Sequence, residues 1–347
     1  MQTSSTGTMN YRHKPAFAVA AWLCVVALSG CESRSYGLAV ESVDVYPVAP
    51  LTNSVANGDG FIDGMTVQGS PWELKTRLTN QNVWDTDLID GASTSSGQDQ
   101  FYFDRPGIAI SYFTGHGITT DGCSTQSCTT TTACTAPVAG ARLPGTCRFS
   151  PLDKPRCCYM VDRAAVTSGQ FDTFGGFVDY TGGQVRWGES ANSGPWAGAG
   201  TDGGTNLVVL DISHGILPPF WSETLRSAFA GVHMIATLMT AGGDTANSAI
   251  RGSTFAKMWA ANRNGSAAQA WLDTMSSLPA TDQFNGFGCN IVVAMGRTEQ
   301  EAQSSINEDW NDIRSDNRDA KGNDWSFARW NCNYTLKSPG AAEWELP

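Results

Sequence analysis

Two apolar runs, each ending in a histidine beside glycine, constrain this chain more than any other feature. Residues 107–117 read GIAISYFTGHG and residues 206–215 read NLVVLDISHG. Ile108, Ala109, Ile110, Tyr112 and Phe113 make one nearly unbroken apolar stretch, and Leu207, Val208, Val209 and Leu210 make another. Strands covered on both faces carry such runs, although a buried helix segment shares the first pattern. Glycines on both sides of His116 allow the backbone to turn sharply after the first run. Asp211, Ser213 and His214 stand at the exit of the second, ahead of Gly215 and the helix-breaking Pro218-Pro219. Parallel strands with these exits bring residues about 100 positions apart to one sheet edge, where open α/β sheets bind their ligands. The expected fold is therefore α/β, with a mostly parallel central sheet.

YFTGHG followed by LVVLDISHG resembles the His-Gly and Asp-x-Cys-His-Gly signatures of caspase and metacaspase cysteine peptidases. The stretches FAGVHMIATLMT, STFAKMWA and WNCNY are similar to an uncharacterised bacterial group of this fold. The resemblance implies a three-layer αβα sandwich. It implies His116 as general base and the Gly117 backbone N–H as an oxyanion donor. Ser213 falls where the family has its nucleophilic cysteine, with Asp211 and His214 flanking it. That departure changes the chemistry. A thiol ionises near neutral pH, whereas a serine hydroxyl needs a base within hydrogen-bond reach and usually a third group orienting that base. The implied function is a caspase-like binding or scaffold module that has lost cysteine-peptidase activity and takes a peptide or protein ligand. The alternative is a serine-type hydrolase, a peptidase or esterase, using Ser213 with His116 or His214.

The amino end reads as a targeting segment. Arg12, His13 and Lys14 precede an apolar run at residues 16–28 of the length of a signal core, too short for a membrane span. The sequence LSGC at residues 28–31 resembles the bacterial lipobox, which implies cleavage before Cys31 and acylation of its thiol. Glu32 then implies the outer membrane of the cell envelope. The expected organisation is a lipoprotein signal peptide over 1–30, a tether over 31–54 with some strand character over 38–48, and a caspase-like domain over 55–347. With 41% hydrophobic residues and 12 tryptophans, the chain can bury a large core. The chain's net charge of −11 and lack of a basic run argue against a nucleic-acid face.

The chain has ten cysteines, and setting aside Cys24 in the signal and Cys31 at the anchor leaves eight. An even number in an exported chain reads as disulfides. Cys289 and Cys332 pair with each other by default. Cys123, Cys128, Cys134, Cys147, Cys157 and Cys158 crowd a Thr/Cys/Pro-rich insertion over 118–160, expected as a disulfide-held loop beside the site. A metal site is disfavoured because no CxxC is present. No cofactor is expected. The one cation weighed is calcium, since residues 57–64, NGDGFIDG, offer Asn57, Asp59 and Asp63 as oxygen donors; the spacing misses the EF-hand pattern, and a Gly/Asp turn is the expectation. Further along, the pattern predicts a hairpin over 171–188, a short helix over 220–229 and a buried strand with a core histidine, His233. It then predicts helices over 253–259 and 267–275, a strand over 289–295, a polar helix over 299–313 and a closing strand over 325–334.

Overall fold

The computed structural model describes residues 36–45, 51–84, 87–88, 107–119, 122–127, 142–150, 153–160, 163–166, 177–179, 187, 205–213, 215, 228–229, 231–238, 246–278, 287–314 and 325–334. A seven-stranded sheet organises them. Five strands are parallel: β1 (Tyr36–Ser42), β2 (Trp72–Thr79), β3 (Ile108–Thr114), β10 (Leu207–Asp211) and β11 (Met234–Leu238). β12 (Phe287–Gly296) and β13 (Trp325–Tyr334) extend it antiparallel. The spatial order is β13-β12-β11-β10-β3-β1-β2, so the fold is α/β with a mixed, mostly parallel sheet. Every residue of β3, β10 and β11 is buried, as their apolar runs require of strands covered on both faces.

Two apolar clusters flank the sheet. One holds Leu38, Val40, Ile110, Tyr112, Leu207 and Val209 with the helices α1 (Ser54–Met65), α2 (Arg251–Ala261) and α3 (Ala267–Ser277). Phe61 stacks on Tyr112 with ring centroids 4.3 Å apart, and Phe255 lies edge-on to Trp271 at 5.5 Å. Trp72, Trp259 and Trp310 meet at 5.1–6.3 Å, offset or edge-to-face as aromatic quadrupoles prefer. The opposite cluster holds Ala39, Phe113, Val208, Leu210 and Ile212 under Val83, Leu88, Trp187 and Phe229. The helix expected over 220–229, a candidate for that outer layer, lies almost wholly outside the described residues, as do His214, Cys31, Cys128 and Cys134.

Several expectations are corrected here. The stretch expected as a tether with strand character over 38–48 contains β1, an internal strand paired on both sides with β2 and β3; its run YGLAVES is buried almost throughout, as a tether would not be. Residues 57–64 are not a turn but the body of α1. Glycine disfavours a helix by about 1 kcal/mol, yet packing overrides it because α1 and α2 approach too closely for side chains between them. A Cβ on Gly64 would meet the Ala256 methyl, and one on Gly252 would meet the Asn57 carbonyl. Asp59 on this helix pairs with Arg77 of β2.

The described residues of the cysteine-rich stretch expected as a loop are strands. β4 (His116–Thr119), β8 (Arg163–Val166) and β9 (Phe177–Asp179) form one small sheet. β5 (Gly122–Ser127), β7 (Asp153–Met160) and β6 (Arg142–Ser150) form another. Phe177–Asp179 pairs with β8; the rest of the hairpin expected over 171–188, Trp187 apart, lies outside the described residues. The polar helix expected over 299–313 divides into α4 (Glu299–Ser305) and α5 (Trp310–Arg314). The break carries Glu308, buried and 2.8 Å from Nδ1 of His233, which gives that core histidine its partner.

Candidate functional site

The strand order 2-1-3 reverses direction between β1 and β3, and such reversals leave a crevice at the carboxyl ends of the strands. A cavity of about 80 Å³ opens at that edge. Asn53, Ser54 and Asn57 line it after β1; Thr114, Gly115 and His116 after β3; Asp211 and Ser213 after β10; and Ser248, in the 3-10 turn before α2, and Arg251, the first residue of α2, close it. His116 and Ser213, about 100 residues apart in sequence, line the same cavity.

The local chain explains the placement. Thr114 is still in register with Asp211, and the Gly115 N–H reaches the Asp211 carbonyl at 3.4 Å, the last contact of that ladder. The chain then turns away, and His116 begins β4, opposite Val166 of β8. On β10 the Ile212 N–H bonds back to the Leu210 carbonyl at 2.9 Å, which tightens the exit and lifts Ser213 out of the ladder. The backbones at Gly117 and Ser213 then touch: a Cβ at residue 117 would overlap the Ser213 carbonyl oxygen. Glycine at 117 is thus required by close approach.

Beneath the rim lies a polar network that none of the sequence motifs announces. Asp211 is buried, and its Oδ2 accepts from Arg251 Nε at 2.9 Å, from Asn57 Nδ2, and from the Tyr112 hydroxyl at 3.4 Å. Asn57 is fully used as well. Its Oδ1 accepts from Tyr112 Oη at 3.0 Å and from the Gly252 N–H at 2.6 Å, and its Nδ2 also reaches Thr114 Oγ1 at 3.3 Å. Burial, and then the neighbouring Asp211 carboxylate, push the Tyr112 phenol well above its ordinary range, so it stays a protonated donor. Asp211 Oδ1 has no hydrogen-bond partner. Neither Asp211 oxygen bonds to His116, so this carboxylate does not orient the imidazole.

Arg251 was absent from the sequence-predicted site, Tyr112 was counted as core, and Asn57 was weighed only as a calcium ligand. A signal for two of them existed. Asn57, Phe61 and Met65 are spaced four apart on the buried face of α1, as Arg251, Phe255 and Trp259 are on α2. A polar residue heading an otherwise apolar helical stripe has to find a buried partner. Among the described residues, no group of three or more His, Cys, Asp or Glu side chains is arranged to hold a metal ion.

A family described as "Domain of unknown function (DUF6345)" matches residues 40–143. That span runs from β1 into β6 and includes His116 and Gly117 but not Ser213. No curated protein and no solved structure matches the chain.

Proposed function

We propose that this chain is an exported, lipid-anchored protein of caspase-like fold that has lost cysteine-peptidase chemistry and serves as a binding or scaffold module at the cell envelope. Cys31 would carry the lipid, and the outer membrane would be its seat. The observation that carries this proposal is the occupation of Asp211. Its one hydrogen-bonded oxygen is committed to Arg251, Asn57 and Tyr112, and its other oxygen has no partner. A serine nucleophile needs an activated base, and the acid nearest the nucleophile position in sequence is bound into the interior instead of orienting one. Size points the same way. A cavity of about 80 Å³ is well below the roughly 300 Å³ at which sites for drug-sized ligands begin. A peptide or protein ligand would therefore rest on the rim and the small sheets beside it.

One observation favours a second reading, a serine-type peptidase or esterase. His116 and Ser213 share the cavity, and the Gly117 backbone lies against Ser213, where an oxyanion donor would stand. A fluorophosphonate probe applied to the exported full chain, with Ser213→Ala as control, separates the two. The expected result is no labelling that depends on Ser213. Labelling abolished by Ser213→Ala would overturn the binding-module proposal in favour of the hydrolase.

A further inference from the structure

We propose a disulfide connectivity: Cys123 with Cys158, Cys147 with Cys157 and Cys289 with Cys332. The observation is one of register. All six cysteines that fall in described strands stand directly opposite another cysteine: Cys123 opposite Cys158 on β5 and β7, Cys147 opposite Cys157 on β6 and β7, and Cys289 opposite Cys332 on β12 and β13. Directly opposed residues of an antiparallel ladder have Cα atoms about 4.5 or 5.5 Å apart. Both separations fall inside the ~4.4–6.8 Å window of a disulfide.

The competing pairings within the small sheet fail on the same geometry. β7 is its central strand, with β5 on one side and β6 on the other. Cys157 and Cys158 are successive residues of β7, so they occupy opposite faces. Their Cα atoms are held about 3.8 Å apart by the trans peptide, below the disulfide window. Cys123 and Cys147 lie two strands apart, roughly 9–10 Å, beyond the reach of a disulfide. Crossing the pairs, Cys123 to Cys157 and Cys147 to Cys158, would join residues on opposite faces of the sheet. Only one arrangement of these four remains, with one staple on each face of β7.

Each bond forms by thiol–disulfide exchange. A thiolate attacks a sulfur of an oxidising protein disulfide, and the second cysteine then attacks the mixed disulfide. Two thiols lose two protons and two electrons, and the oxidant leaves as a dithiol. The staples tie β5, β7 and β6 into a covalent block whose first strand begins three residues after Thr119, the end of the strand that His116 opens. A segment poor in apolar side chains can hold a sheet by this means when it cannot build a core.

The test is peptide mapping of the exported full chain without reduction. Thiols are first blocked in denaturant, and the linked peptides are then sequenced by electron-transfer fragmentation. The expected result is a Cys289–Cys332 link and no blocked thiol at Cys123, Cys147, Cys157 or Cys158. Because Cys157 and Cys158 share one tryptic peptide, the variant Cys123→Ser/Cys158→Ser assigns the rest. It should keep Cys147 linked to Cys157, with neither thiol blocked. Blocked Cys147 and Cys157 in that variant, a 157–158 bond, or free thiols at 289 and 332 would overturn the connectivity. If the variant does not accumulate, partial reduction and cyanylation of the wild-type chain reads the same links, and any other pairing of these six cysteines refutes the proposal.

Discussion

The Arg251–Asp211 pair should couple the helix α2 to the carboxyl edge of the sheet, and breaking it is the sharpest test of how that edge is built. Arg251 is 7% exposed at its side chain and Asp211 0%, so solvent screens the pair little. Arg251→Leu leaves a carboxylate buried without its counter-charge, a loss that costs about 3–5 kcal/mol in buried ion pairs. Asn57 and Tyr112 still donate to Asp211 Oδ2, which places the expected cost at the low end, near 3 kcal/mol. For a domain of this size that lowers Tm by roughly 5–10 °C. Asp211→Asn instead removes the carboxylate charge that faces the guanidinium and should also destabilise the protein. The combined variant removes both charges, and its loss should fall about 2 kcal/mol short of the two single losses added together. Urea denaturation of the four proteins measures this directly. Additivity within about 0.5 kcal/mol would mean that the two side chains do not act as a pair, and the account of the network beneath the cavity would be wrong.

Two further outcomes follow from buried groups and close contacts. Glu41 lies fully buried on β1 with neither carboxyl oxygen hydrogen-bonded, and burial, reinforced by Asp87, raises its pKa well above the ordinary range. The folded state therefore holds a proton that the unfolded chain releases near pH 4.5. Stability is highest below that pH and falls, by at most about 1.4 kcal/mol per pH unit, as pH rises towards the folded value. Glu41→Gln should flatten this slope and stabilise the protein at neutral pH; an unchanged profile of urea midpoints between pH 4.5 and 8 would refute a neutral, buried Glu41. Gly117→Ala forces a methyl into the Ser213 carbonyl, and overpacking of this kind costs about 1–3 kcal/mol. A variant as stable as wild type by thermal melting would show that residues 117 and 213 do not abut.

The sheet was legible because its central strands are mostly apolar. β3, β10 and β11 are covered on both faces, so apolar side chains dominate them and their runs stand out from any neighbouring pattern, with Ser111, Thr114, Asp211 and Thr237 the buried polar residues among them. The helix pair α2 and α3 was legible for the complementary reason. Phe255, Trp259, Trp271 and Met275 repeat at helical spacing, and all four are buried. α1 was hidden because its glycines read as turn residues, and only the closeness of α2 makes them suitable for a helix. β1 was legible as strand character over 38–48 but not as part of the central sheet, because its charged residue, Glu41, is one that the fold buries against expectation. The small sheets were hidden because strands rich in Thr, Ser and Cys carry no apolar period to detect.

The site divides along the same line. His116, Gly117, Asp211 and Ser213 were found because they follow the apolar strands whose ends define the edge. Arg251 and Asn57 were not, because heading an apolar helical stripe announces a buried partner but not which one; that depends on which helix face meets which strand. Their presence decides what Asp211 can do. An aspartate at the rim of an acidic chain would ordinarily attract a cation, but the Arg251 guanidinium already holds Asp211 Oδ2 at 2.9 Å from inside the fold. The negative charge is met by a positive one before any ligand arrives, and three donors fill the oxygen that accepts hydrogen bonds. Electrostatic pull on a charged partner at this edge is therefore weak. On the proposed reading, a ligand at this edge would be held by shape and by hydrogen bonds from Ser213, His116 and the backbone around Gly117 rather than by charge.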